Sequence, residues 1–391
     1  MEVILTDQQL APCLGKTKVL QLYRTYFPDT QGGLEEVIRQ IAINSADFGI
    51  ETQIIVPSIN TDEPRKFSID GIVVYQVPEL IEIASCNIYK GGFKLLKELV
   101  QWADIIHYHY PWPYQDLLHF MLVKWFAKKT LVTYHSDIIR QRSLFRLYSP
   151  LQKVFLNDVD SIVATSSIYA DTSPSLKNYR EKVEIIPLGL SRHALPNEPN
   201  KELVNKWQEQ LGDGFFFFVG VLRYYKGLDV LIRAAVLSGV QVVIAGAGFE
   251  WDNLQQQKEL LEAENVHLLG RISDEDKAAL ISLSRAMILP SYVRSEAFGV
   301  SLLEGMFYSK PLITAELDTG VNFVNEDGVT GIKVDAQSAR GLAHAMLKFD
   351  KDPELARTMG LAARQRYERL FTGRMLGESY ANLYKRLVTQ K

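Results

Sequence analysis

The stretch from Ala286 to Tyr308 restricts the possible folds more than any other part of this 391-residue chain. An apolar run, Ala286-Met287-Ile288-Leu289, is ended by Pro290, which reads as a buried strand with a breaker at its carboxyl end. After a polar loop, Phe298-Gly299-Val300 opens a segment to Tyr308 with apolar residues at helical spacing. Strand, loop and helix in that order is an α/β arrangement. The first turn of such a helix turns unpaired N–H groups and the positive end of its dipole toward an anion.

Two carboxylates bracket that turn, Glu296 in the loop and Glu304 in the helix. With the helix starting near Gly299, Glu304 lies roughly 7 Å along the axis at about 1.5 Å per residue. One helix could then offer N–H groups to a diphosphate, with Glu296 and Glu304 reaching hydroxylated groups at either end. Sugar, diphosphate and ribose follow each other in that way in a nucleotide-sugar. The same pair reads equally well as a solvated loop Glu and a helix-face Glu.

The chain exceeds one ordinary core, so two domains are expected, and 47% hydrophobic with 23% charged residues is an ordinary globular balance. A net charge of −3 gives no nucleic-acid footprint over the whole chain. Cys13 and Cys86 stand in no metal or redox spacing, which points to a reducing compartment. No apolar run reaches the length of a membrane span, and Met1 to Gly15 has Glu2 and Asp7 where a leader needs positive charge. A cytoplasmic placement with peripheral membrane contact is expected; residues 1–17 have no assigned role.

Strand patterns alternate with helical ones, so the sheets should be parallel. Val19 to Tyr23 reads as the first strand, followed by a turn ending in Gly32-Gly33 and a helix from Leu34 to Phe48. Further strands are expected at 53–56, 72–77 and 105–107. His107-Tyr108-His109 could be two metal ligands, but no third is near, and ligand lining or packing fits better. His135 ends another strand, Leu131 to Tyr134, as a catalytic helper or a structurally satisfied side chain. After a Pro- and Asn-rich link at 191–201 the plan restarts: Phe215 to Val219, then a turn with Arg223 and Lys226, then a helix from Leu228. Two cations after a strand suit a leaving diphosphate, or are simply exposed loop charges.

The segment S-E-A-F-G-V-S-L-L-E-G, with its Glu-x7-Glu spacing, resembles the signature of the family 4 retaining glycosyltransferases. That resemblance implies a GT-B fold, two Rossmann-like domains facing across a cleft, with the last helix crossing back to the first domain. Residues 1–192, completed by 374–391, would form the acceptor-side domain, and 193–373 the nucleotide-sugar domain. It implies that Glu296 meets donor-sugar hydroxyls and Glu304 the ribose, with Phe298, Gly299 and Val300 at the phosphates. Gly32 and Gly33 of G-G-x-E, with Glu35, would lie beside them, and His135 near the reacting centre.

Lys226 matches the family pattern G-R-L-x-x-x-K-G, but Val221 stands where the Arg belongs; Arg223 would substitute if it points to the same side. The base would sit at Arg271, Ile272 and Asp274, where Asp274 either accepts from guanine or N-caps the next helix. The stretches Y-x-T-Y-F-P-D-T-x-G-G, T-Y-H-S-D-I, R-Y-Y-K-G and R-S-E-A-F-G are similar to bacterial O-antigen mannosyl- and rhamnosyltransferases. Such likeness implies a GDP-sugar donor, GDP-mannose first, and a polyprenyl-diphosphate-linked saccharide acceptor.

The one D-x-D, Asp158-Val159-Asp160, falls between a helix and a strand at the amino end of a sheet, so no metal or other cofactor is expected. Between Leu117 and Lys153 the charge is lopsided, with Lys124, Lys128, Lys129, Arg140, Arg142, Arg146 and Lys153, and the helix expected from Leu117 to Lys129 also carries Phe120, Met121, Trp125 and Phe126. That stretch would dock on the anionic cytoplasmic face of the inner membrane, or else be a core helix with a basic edge.

Overall fold

The structure is a computed structural model and describes residues 15–30, 32–138, 142–191 and 196–390. Residues 1–14 and Arg140 lie outside that range, as does the side chain of Arg142. Among the described residues the strands form two sheets. The first contains β1 (Thr17–Leu22), β2 (Ile50–Ser58), β3 (Arg65–Ile69), β4 (Ile72–Ile83), β5 (Cys86–Tyr89), β6 (Ile105–Tyr110), β7 (Lys129–Tyr134), β8 (Ser161–Ala164) and β9 (Val183–Ile185). Their order is β3-β4-β2-β1-β6-β7-β8-β9, with β5 paired to β4. Only β3 and β5 run antiparallel, as a skirt on one edge.

The second sheet is parallel throughout: β10 (Phe216–Val219), β11 (Val242–Ala245), β12 (Val266–Gly270), β13 (Ala286–Leu289), β14 (Leu312–Ala315) and β15 (Gly331–Val334), in the order β12-β11-β10-β13-β14-β15. Its strands β11, β13 and β14 are buried at every position because helices cover both faces. In each sheet the order reverses beside the first strand, between β1 and β6 and between β10 and β13. Such a switch point opens a crevice at the carboxyl ends of the strands.

The helix Gly373–Thr389 leaves the second half and packs on the helix Gly33–Ala46 of the first. Buried Leu376, Tyr380, Tyr384 and Leu387 join Val19, Val37 and Ile41 to the core of the second sheet in one apolar cluster. The apolar face of an amphipathic helix thus ties the halves together, as the resemblance implied for the last helix.

Two expected elements differ. The helix expected from Leu117 to Lys129 is a helix at Pro113–Met121, a 3-10 turn at Val123–Phe126 and then β7. Leu122 leaves helical geometry (φ −134°), Ala127 turns left-handed, and the Lys128 ammonium caps the carbonyls of Gln101 and Ala103. The chain must straighten there because Thr130 already lies buried in the sheet. Asp274 is not the cap of the helix Asp274–Leu283. Ser273 is, accepting from the Asp276 amide at 3.0 Å, and Asp274 is the first helical residue.

Candidate active site

Lys226 and Glu296 come from the two loops that flank the switch point of the second sheet. The loops are stitched together by the Tyr292 amide donating to the Tyr225 carbonyl at 3.0 Å. Lys226 donates to Glu296 in a largely buried ion pair, and Ser291 Oγ donates to the same carboxylate oxygen at 3.1 Å. Burial works to lower the Lys226 pKa, but Glu296 and Tyr225 outweigh it and hold the ammonium above its ordinary value. Lys226 is therefore charged and waiting in the crevice.

Gly299 caps the helix Val300–Phe307 with φ +83°, a conformation that only glycine adopts without strain, and a Cβ there would meet Leu289 at 2.7 Å. Phe298 points away from the crevice, buried edge-on against Phe371, so only its backbone can serve a ligand. Glu304 accepts from Lys277 at 2.7 Å, and Lys277 also reaches Asp274 at 2.8 Å. Burial raises the Glu304 pKa against the pull of Lys277. Lys277 was not singled out in the sequence; its only trace there is the i,i+3 spacing from Asp274 at a helix start.

Arg223 is exposed and extended (φ −125°), with Leu222 buried and Val221 exposed before it. Strand β10 ends earlier, at Val219, but the alternation still turns Val221 and Arg223 to one side. The Arg223 charge is close enough to work against protonation of Lys226. Arg271 and Asp274 are exposed after β12, and Ile272 is half-buried between them.

In the first half, Gly32 caps the helix Gly33–Ala46, and Glu35 folds back over it. Its carboxylate accepts from Thr25 at 2.8 Å and Thr30 at 2.9 Å, and lies 2.6 Å from where a Gly32 Cβ would be. Glu35 thus fastens the turn through the two threonine hydroxyls. This helix start faces the Glu304 helix across a void of about 10 Å³ lined by Glu36, Val37, Val300 and Leu303.

His135 is buried, and its Nε2 shares a hydrogen bond with His109 Nδ1 at 3.0 Å. His109 Nε2 meets Gln21 Oε1 at 3.1 Å; with that oxygen as acceptor, His109 accepts from His135 and leaves His135 Nδ1 a lone pair. Behind them, His107 bonds Tyr384 at 2.8 Å and Thr133 at 2.7 Å, and Thr133 bonds Tyr380 at 2.8 Å. Of the two packed histidines, His107 is a hydrogen-bonded strut to the last helix, and His109 holds His135 from behind. Burial lowers the His135 pKa to about 3 and drives His107 and His109 well down. All three are neutral at physiological pH.

Asp158 and Asp160 sit at the amino end of the first sheet. Asp158 accepts from His119 at 2.8 Å and from Lys124, while Asp160 accepts from the Thr130 amide and hydroxyl at 2.8 Å. No group of three His, Cys, Asp or Glu side chains among the described residues could hold a metal.

Residues 31–192 match the family described as Glycosyltransferase Family 4, and residues 199–366 match Glycosyl transferases group 1. The chain is 44% identical over 355 residues to the D-rhamnosyltransferase WbpZ of Pseudomonas aeruginosa, covering 91% of this chain and 92% of that one. It is 39% identical over 374 residues to O-antigen chain mannosyltransferase C of Escherichia coli, covering 96% and 100%. Among solved structures it is similar to a sucrose-phosphate synthase from Thermosynechococcus elongatus, with a TM-score of 0.80 at 20% identity over 96% of this chain and all of that one. With the two facing sheets, the crossing helix and the paired carboxylates of the cleft, these likenesses place the chain among the GT-B glycosyltransferases, its first half of family 4 and its second of group 1.

Proposed function

We propose that this enzyme moves a mannose, with retention of its α configuration, from GDP-mannose to a saccharide carried on a polyprenyl diphosphate, in O-antigen assembly. The observation that carries the donor reading is the pairing of Lys226 with Glu296 across the switch point, above a helix that starts at Gly299 and holds Glu304 one turn inside. A diphosphate entering there takes the Lys226 ammonium, the Arg223 guanidinium and the helix N–H groups, while Glu296 turns to the sugar and Glu304 to the ribose. As the anomeric C–O bond to the diphosphate breaks, the acceptor oxygen bonds to the same face and its proton passes to the departing phosphate oxygen. His135 Nδ1 accepts from a sugar hydroxyl and does not itself ionise.

The cations near Lys226 stand where a metal would otherwise be needed, and Asp158 and Asp160 are occupied elsewhere. Transfer should therefore persist after exhaustive chelation, and loss restored only by Mg²⁺ or Mn²⁺ would contradict this. The acceptor's lipid keeps it at a bilayer, and the exposed Trp125 (81%) and Leu147 (83%), beside exposed Arg146 and Lys153, suit the cytoplasmic leaflet. Lys124 and Lys128 are bound within the protein and Lys129 pairs with Asp160 at 3.6 Å, so the apolar side chains carry the contact.

The likeness to a D-rhamnosyltransferase favours GDP-rhamnose as second reading. A donor screen of GDP- and UDP-sugars on a lipid-linked acceptor, read by mass, tests both. GDP-mannose incubated alone separates a transferase from an epimerase: an isomerised sugar in the absence of acceptor would overturn the proposal.

A further inference from the structure

We propose that Arg294, acting through Asp137, is a positioning residue that sets His135 against Glu296 across the interdomain cleft. Arg294 precedes Glu296 by two residues on the donor-side loop, and Asp137 follows His135 by two on the acceptor side. The Arg294 guanidinium donates to the Asp318 carbonyl in its own half. In the other half it donates to Thr172 Oγ1 at 2.9 Å, pairs with Asp137 Oδ2 at 3.4 Å and lies 5.0 Å from the centre of the Tyr169 ring. A planar fork with several donors can bridge these groups at once, which the point charge of a lysine cannot.

Asp137 is itself fixed from three sides. Ser173 donates to it at 2.6 Å, Tyr134 at 3.0 Å and Tyr169 at 3.1 Å, and its own amide donates to the Tyr169 hydroxyl at 2.6 Å. The carboxylate therefore cannot follow Arg294 without carrying the His135 segment with it. Arg294 keeps 26% of its side-chain exposure and Asp137 12%, so solvent screens the pair less than it would a surface ion pair. Ala297, next to Glu296, packs against the apolar core of the first half, so the two loops already touch. Each partner of the pair stands two positions along the chain from its reactive neighbour, a lever of about 7 Å at full extension.

The role rests on the donor-binding reading of the cleft, and its test has an arm that needs no turnover. Arg294→Ala is expected to lower kcat by about 100-fold, the cost of a misplacement near 1 Å, while GDP affinity stays within about threefold. Arg294→Lys, which keeps the charge and guards against a folding defect, should lose roughly tenfold in kcat with the same split. Arg294→Ala combined with Asp137→Asn should be no slower than the slower single variant. Small-angle scattering should show a larger radius of gyration for Arg294→Ala than for wild type, whichever donor is used. Unchanged kcat, a parallel fall in kcat and GDP affinity, additive effects in the double variant, or unchanged scattering would each overturn the role. Wild type that fails to bind GDP would overturn the donor proposal instead and leave the scattering result to decide on Arg294.

Discussion

The two walls of the cleft are built on opposite electrostatic plans. The donor wall holds charges in pairs, Lys226 with Glu296 and Lys277 with Glu304, each largely buried and each with a partner that a ligand can replace. The acceptor wall holds neutral groups in a chain, His135 to His109 to Gln21, with His107, Thr133, Tyr380 and Tyr384 behind. Ion pairs in a crevice are suited to exchange, because a dianionic ligand offers each cation a second anion. A neutral network is suited to holding one geometry, because every lost hydrogen bond leaves a buried group unsatisfied. On the proposed function, the difference assigns ligand charge to one side and shape to the other.

The sharpest way to break that contrast is to remove the exchangeable cation. Lys226→Gln should lower kcat by about 100- to 1000-fold, as removal of one preorganised stabilising donor does, without unfolding the protein. A loss under about tenfold would move leaving-group stabilisation elsewhere.

The acceptor wall should reveal itself in stability against pH. Native His107, His109 and His135 have pKa values depressed by burial, so below the ordinary histidine value the unfolded chain binds protons that the native one refuses. Stability is thus fully present above about pH 6.5 and is lost as pH falls toward 3. Buried Asp116 and Glu304, whose pKa values are raised, offset part of this by keeping protons in the native state. A net uptake of one to two protons gives a slope of roughly 1.4–2.8 kcal/mol per pH unit between pH 6 and 5, measured by urea unfolding. A flat profile there would show the imidazoles to be charged in the native protein. By the same account the pH–rate profile should carry no inflection from His135 between pH 5 and 8.

A smaller effect concerns the surface beyond the acceptor wall. Trp125→Ser with Leu147→Ser should reduce pelleting with anionic vesicles severalfold, since docking at the interface takes only part of each apolar side chain out of water. Transfer to a short soluble acceptor should survive. Equal loss on both acceptors would make these side chains structural. The smallest effect is expected for Tyr384→Phe, which deletes one hydroxyl bonded to His107 and should cost about 1–2 kcal/mol of stability with kcat nearly unchanged.

Much of the donor wall was legible because it is local. Phe216–Val219, Val242–Ala245 and Ala286–Leu289 are unbroken apolar runs, and Gly299 marks a helix start that nothing distant has to supply. The acceptor wall was not, because its bonds join residues 247 and 277 positions apart, Thr133 to Tyr380 and His107 to Tyr384. The same holds for Arg294 and Asp137, which appear in sequence as two ordinary loop charges. The edge strand Arg65–Ile69 escaped notice because exposed positions blur its alternation, and Cys86–Tyr89 because it is only four residues long and turns polar Asn87 to its buried side. Part of the basic stretch was hidden in a different way. Lys128 caps carbonyls while Lys124 and Lys129 pair with Asp158 and Asp160, which a charge count along the chain cannot show.

The most direct measurement is calorimetric titration of GDP into wild type, Glu296→Gln and Glu304→Gln, with transfer rates taken on the same preparations. If the donor wall divides its work as described, Glu304→Gln weakens GDP binding about tenfold or more, by loss of a charged acceptor to the ribose. Glu296→Gln then leaves GDP affinity within about threefold of wild type yet lowers transfer by at least 100-fold. Equal GDP affinity in all three proteins, or loss of GDP binding in Glu296→Gln, would contradict the account.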